Sequence, residues 1–157
     1  MPLSPAQFIT LKHAIIASPT AGPMRAAGDT PTLLAWCNAP SATLAWRGVV
    51  PPQESDEAAT YTLFDGVIAG KRDSWQHNFL RYSRDFQKAK IRNWIVDVWG
   101  PAIASSVAEA ILQVGTEFAT NAQVVFGGTS PATGTVTALR RTWNEMVSSD
   151  EVNRLVN

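Results

Sequence analysis

The chain has one cysteine, Cys37, two histidines, His13 and His77, and only 17% charged residues, against about a quarter in an ordinary soluble protein. Each scarcity excludes something. A lone cysteine cannot close an intrachain disulfide, and the opening "MPLSPAQFIT" lacks the charged and apolar runs of a signal peptide, so a reducing cytoplasm is the expected place of folding. No apolar run reaches the ~20 residues needed to cross a bilayer, the longest being broken by Asp97, Gln113 or Glu117, so no membrane role is expected. Thirteen basic residues balance thirteen acidic ones, which argues against a protein whose main work is wrapping nucleic acid, where a pI above about 9 is usual.

Catalytic signatures are missing too. Neither His13 nor His77 stands in a recognised catalytic context, and both fall within helical patterns as surface or boundary residues. Cys37, between Trp36 and Asn38 and close to Leu34 and Ala35, reads as a small buried hydrophobe, since a reactive thiolate needs positive charge nearby. There is no C-x-x-C, no H-E-x-x-H and no calcium-loop spacing, and "GGTSPATGT" (127–135) has no lysine followed by Ser or Thr to meet phosphates. Glu54, Asp56 and Glu57 read as solvated carboxylates at a helix start. The expectation is a non-enzyme, with no catalytic, cofactor-binding or metal-ligating residue to name.

What is present is helical pattern. Ser4, Pro5 and Gln7 spell an N-cap, a first-turn proline and a capping-box partner, with Leu3 placed to staple against Phe8 and with Phe8, Leu11 and Ile15 at helical spacing. Two prolines and a glycine in "SPTAGP" predict a loop over 18–29, and a second helix follows from Thr30 or Pro31 to about Asn38. "ATLAWRGVV" suggests a short strand, 50–55 a loop, and Ser55 or Asp56 the start of another helix, before Gly66 and Gly70 bracket a break. Asp85 is placed to cap a helix carrying Ile91, Trp94, Ile95 and Val98, which Gly100 and Pro101 would stop. Ser106 and Glu109 fit a capping box, followed by a stripe of Val107, Ile111, Val114, Phe118, Ala122 and Val125 about five turns long, with Gly115 and Ala119 admitting a second helix. Residues 127–135 have loop composition, "VTALRRTWNEMV" fits helix or strand with strand preferred, and Ser149 would cap a last short helix. The expected architecture is mainly α, a compact bundle-like single domain over 1–157 with a few short strands or extended segments.

Charge is concentrated in one place. "KRDSWQHNFLRYSRDFQKAKIRNW" (71–94) carries seven of the thirteen basic residues. Trp75, Phe79 and Tyr82 fall at i, i+4 and i+7, which predicts one apolar face, with Lys71, Arg72, Arg81 and Arg84 around the other side and Lys88 and Arg92 sharing a polar face of the next helix. These six cations are the candidate subunit-facing or DNA-facing contacts. Two readings stay open: pairing with acids such as Glu54, Asp56 or Glu57 of a neighbouring subunit, or a small DNA-binding regulator using 71–99 as a helical reader.

Several stretches in order, "LSPAQFITLKHAIIASP", "GDTPTLLAWCNAPSATLAWRGVV", "IRNWIVDVWG", "ATNAQVVFGGTSPATGTV" and "SSDEVNRLVN", resemble a group of small structural proteins encoded by tailed bacteriophages and prophages. The resemblance runs along nearly the whole chain, and the basic stretch departs from it most. It implies a virion protein made in the host bacterial cytoplasm, a head-to-tail connector (adaptor) that forms a homo-oligomeric ring on the portal protein. Its further partners would be other neck or tail proteins, with non-specific contact to packaged DNA. Another virion assembly role, decoration or tail completion, is the alternative within the same group.

Overall fold

The first helix, α1 (Pro5–Ala17), begins as its sequence directs: Gln7 N donates to Ser4 Oγ at 3.3 Å while Ser4 N donates back to Gln7 Oε1 at 3.0 Å. It opens a computed structural model that describes residues 2–100, 105–128 and 130–157. The protein is mainly α-helical with a small two-stranded sheet. The described chain divides into two compact units, 1–43 with 118–129 and 141–157, and 44–117 with 130–140.

The first unit contains α1, α2 (Ala21–Ala26), α3 (Thr30–Asn38), α8 (Asn121–Phe126) and α9 (Ser149–Val156). Their shared core is Leu3, Leu11, Ile15, Ala21, Leu33, Cys37, Ala122, Trp143, Val147, Val152 and Leu155. Helix α2 corrects the expected loop at 18–29. Pro23 falls in its first turn, where an absent N–H is not missed, and Ser18 Oγ accepts from Ala21 N at 3.1 Å. Gly28 then follows at φ +70°, the left-handed position that glycine adopts without strain. Asp29 caps α3 by accepting from Thr32 N at 3.2 Å, so that helix starts where expected. The last helix is capped by Ser148, one residue before the expected Ser149.

The second unit contains α4 (Pro52–Ala58), a 3₁₀ turn (Tyr61–Gly66), α5 (Ala69–Asp73), α6 (Ala89–Trp99) and α7 (Ser105–Val114). Helix α4 begins inside the expected 50–55 loop because Pro52 occupies its first position, and Gly70 lies inside α5, not at a break. From α5 the backbone passes through one π turn (Ser74–Asn78) and a 3₁₀ turn (Phe79–Arg81). Trp75 and Phe79 are buried and stacked, centroids 4.4 Å apart, but Tyr82 follows the last turn in extended backbone and is exposed, so the predicted three-ring face ends at Phe79. Asp85 caps no helix: its Oδ1 accepts from Gln87 N at 3.1 Å, and Lys88 is the residue before α6. Ile91, Ile95 and Val98 are buried on α6 as the spacing predicts. Its end at Gly100 agrees, whereas Pro101 lies outside the described residues.

The predicted five-turn stripe is broken. Helix α7 stops at Val114, strand β2 (Thr116–Thr120) follows, and α8 begins afresh with a Thr120–Gln123 capping box. Ser106, expected to cap α7, lies inside the helix, which is described from Ser105, and residues 101–104 lie outside the described residues. Strand β2 pairs with β1 (Pro40–Trp46). Gly115 admits a ring in place of the expected second helix: a Cβ there would lie 1.8 Å from a Phe86 ring carbon. The tail over 136–147 forms no strand; a single parallel bridge joins Leu139 to Ala45, and Trp143 and Val147 are buried in the first unit's core.

Candidate interaction surface

The candidate cations fall into three groups. Lys71 and Arg72 are tied down within the chain: Lys71 Nζ lies 2.7 Å from Asp97 Oδ1, and Arg72 Nη1 3.3 Å from Asp65 Oδ1. Lys88 makes a looser pair, 3.5 Å from Asp85 Oδ2. These are partly exposed pairs, each contributing ~1 kcal/mol or less.

Arg92 is a different object. Expected on a polar face beside Lys88, it is 2% exposed. Its Nη1 donates to the carbonyls of Phe86 (2.7 Å) and Gln87 (2.9 Å), its Nε to Thr133 Oγ1 (3.0 Å) and its Nη2 to Ser130 Oγ (3.1 Å), while the guanidinium lies 4.5 Å from the Trp46 ring centroid. Desolvation lowers its pKa, with Asp85 acting in the opposite sense. The long aliphatic stem fits the apolar register of α6 and the head ties the 130–133 segment to residues 86 and 87. Arg92 therefore stabilises the unit and is not a surface contact. Its register, three before Ile95 and seven before Trp99, is that of the buried side of α6; its charge alone had suggested a polar face.

Arg81 and Arg84 remain at the surface with rings around them. Arg84 Nε donates to Phe79 O at 2.9 Å and an Nη2 proton goes to Asn78 O. The guanidinium lies 5.3 Å from the Phe79 centroid, 5.3 Å from Trp94 and 5.8 Å from Tyr82. Desolvation lowers its pKa. Exposed Arg81 lies 5.5 Å from the Tyr82 ring.

Acids singled out by the sequence also find internal partners. Glu54 receives both Nη groups of Arg47, one at 3.1 Å, and this hydrogen bonding holds its carboxyl below the ordinary value. Arg47 also donates to Val114 O at 2.8 Å. Asp56 accepts from the Tyr61 hydroxyl, whose pKa rises to about 12 through burial and then through that bond. Neither acid waits for a neighbouring subunit's arginine.

Elements of chemistry stay apart. His77 Nδ1 is 2.8 Å from Asp73 Oδ1, and both residues are exposed on the π turn and the helix before it. His13 is exposed on α1. Burial pushes the Cys37 thiol up to about 11, which suits a core residue and not a nucleophile. Among the described residues no three His, Cys, Asp or Glu side chains gather as a metal site. No described helix is long and apolar enough to cross a membrane.

Among the exposed apolar residues that sequence reasoning missed, two share the outer face of α1. Leu11 and Ile15 are fully buried, yet Ile9 and Ile16 on the same helix are 55% and 52% exposed, and His13 lies between them at i+4 from Ile9. The signal was legible in principle: Lys12 is the one Lys, Arg, Asp or Glu in the helix, so apolar residues surround it. No protein-family model, no curated protein and no solved structure matches the chain.

Proposed function

We propose that this protein is a structural virion subunit of a tailed phage, a head-to-tail connector that forms a ring of identical copies on the portal and works by docking. The observation carrying this reading is the outer face of α1. A helix whose inner side already fills a core with Leu11 and Ile15 gains nothing for its own unit from outward Ile9 and Ile16. Covering them against another copy removes that apolar area from water at about 25 cal/mol per Å².

The ordered resemblance to phage structural proteins supplies the class, and the mainly helical architecture is compatible with a small adaptor. In a ring each copy offers one face to the neighbour on its left and a different face to the neighbour on its right, a heterologous contact that rotation closes. The alternative of a sequence-reading DNA regulator loses support from the internal engagement of Lys71, Arg72 and Arg92. Co-sedimentation with purified portal protein tests the docking. The chain is expected to pellet with the portal at a fixed stoichiometry, and an Ile9→Asp, Ile16→Asp variant to lose copies from the complex. Absence of the wild-type chain from the pellet would defeat the assignment.

A further inference from the structure

The surface around Arg84 has a charge pattern that the fold does not use. Arg84 is held by two backbone carbonyls and three rings, and among the described residues no carboxylate is bonded to it, so its charge is fixed in place without being neutralised. A guanidinium has five N–H donors, and these two carbonyl bonds leave others free to face outward. Arg81 stands over the other contact of the Tyr82 ring. Lys90 is exposed one helical turn before Trp94, the ring against which Arg84 lies. Among the described residues Arg81 and Lys90 have no ion-pair partner. The nearby acids are engaged, Asp85 with Gln87 N and Lys88, and Asp97 with Lys71.

We infer that Arg81, Arg84 and Lys90, braced by Tyr82 and Trp94, form a binding site for the phosphodiester backbone of nucleic acid. Three cations without counter-charge attract an anion of repeating charge, and aromatic bracing fixes Arg84 before the ligand arrives, so little side-chain freedom is lost on binding. Contacts to phosphates carry no sequence information, so contact is sequence-blind. This deepens the connector reading, in which DNA passes the ring, and rests on that reading for its setting.

The test is fluorescence anisotropy of the full chain with a labelled mixed-sequence 20-base-pair duplex, at protein concentrations whose mass has been measured. Ring formation and binding are thereby scored separately. Three phosphate contacts predict a log–log salt slope of about −2.7, an affinity loss of about 40-fold between 50 and 200 mM salt. The Arg81→Gln, Lys90→Gln double variant should reduce the slope to about −0.9, with an unchanged circular dichroism spectrum because both side chains are exposed. Lys12→Gln on α1 should leave it unchanged. No binding at 50 mM salt, equal binding by the double variant, or equal competition by polyglutamate at matched charge would each overturn the inference, the last by pointing to an acidic protein surface.

Discussion

At the scale of single residues, the buried guanidinium of Arg92 holds four polar groups together. Arg92→Met keeps much of the stem but strands the Phe86 and Gln87 carbonyls and the Thr133 and Ser130 hydroxyls. Each buried group left unsatisfied costs ~1–3 kcal/mol, so a loss of about 3 kcal/mol in urea unfolding is expected, against under ~0.5 kcal/mol for a change at exposed Arg81. Gly115→Ala should cost ~1–3 kcal/mol, because the new methyl would overlap the fully buried Phe86 ring. Cys37 gives a cheap check on packing. With its thiol buried and its pKa near 11, it should stay inert to a disulfide-exchange reagent in the folded protein at neutral pH and react fully in denaturant. Rapid reaction under native conditions would show that the core around α3 is open.

At the scale of elements, the last helix is tied to the first through Glu151. Its carboxylate accepts from Ser148 N at 2.8 Å and from Leu3 N at 2.5 Å, with Ser148 Oγ at 3.0 Å. Burial would raise its pKa, but these bonds outweigh burial and hold it below the ordinary 4.5. A carboxyl depressed in the folded state contributes stability that is present above its unfolded pKa and is lost as pH falls through the folded one. The urea midpoint should therefore decline as pH drops from about 5 toward 3, and Glu151→Gln should flatten that decline while lowering the midpoint at neutral pH. Ser148→Ala should cost ~1 kcal/mol through the lost cap. Capping signals of this local kind are what made α1 and α3 readable in sequence, since Ser4, Gln7 and Asp29 act on backbone within three residues. The misreadings share a different cause. The prolines of "SPTAGP" were read as breakers and 50–55 as a loop, although Pro23 and Pro52 both sit in first turns, where proline is tolerated. Phe118 matched a helical stripe while its backbone was claimed by pairing with β1, and that pairing depends on residues some seventy positions away. The basic stretch was visible as composition, but which of its cations point outward was decided by carbonyls at 86 and 87 and hydroxyls at 130 and 133.

At the scale of the whole molecule, mainly helical character was legible because periodicity and caps accumulate over many residues, while the apolar outer face of α1 was not. Exposure of Ile9 and Ile16 follows only once Leu11 and Ile15 are seen to claim the inner side of α1. Two faces are proposed to act: an apolar one on α1 for another copy of the chain, and a cationic one at Arg81, Arg84 and Lys90 for phosphates. Removing Ile9 and Ile16 side chains should leave single-chain stability within ~0.5 kcal/mol, since both are more than half exposed, and act on association alone. The most direct test of that central claim is native mass spectrometry of the purified chain, alone and with portal protein. A single closed oligomeric species, on its own or on the portal, that Ile9→Asp with Ile16→Asp converts to 17.0 kDa monomers is the predicted result. A wild-type chain that stays at monomer mass at every concentration and in the presence of portal would contradict it.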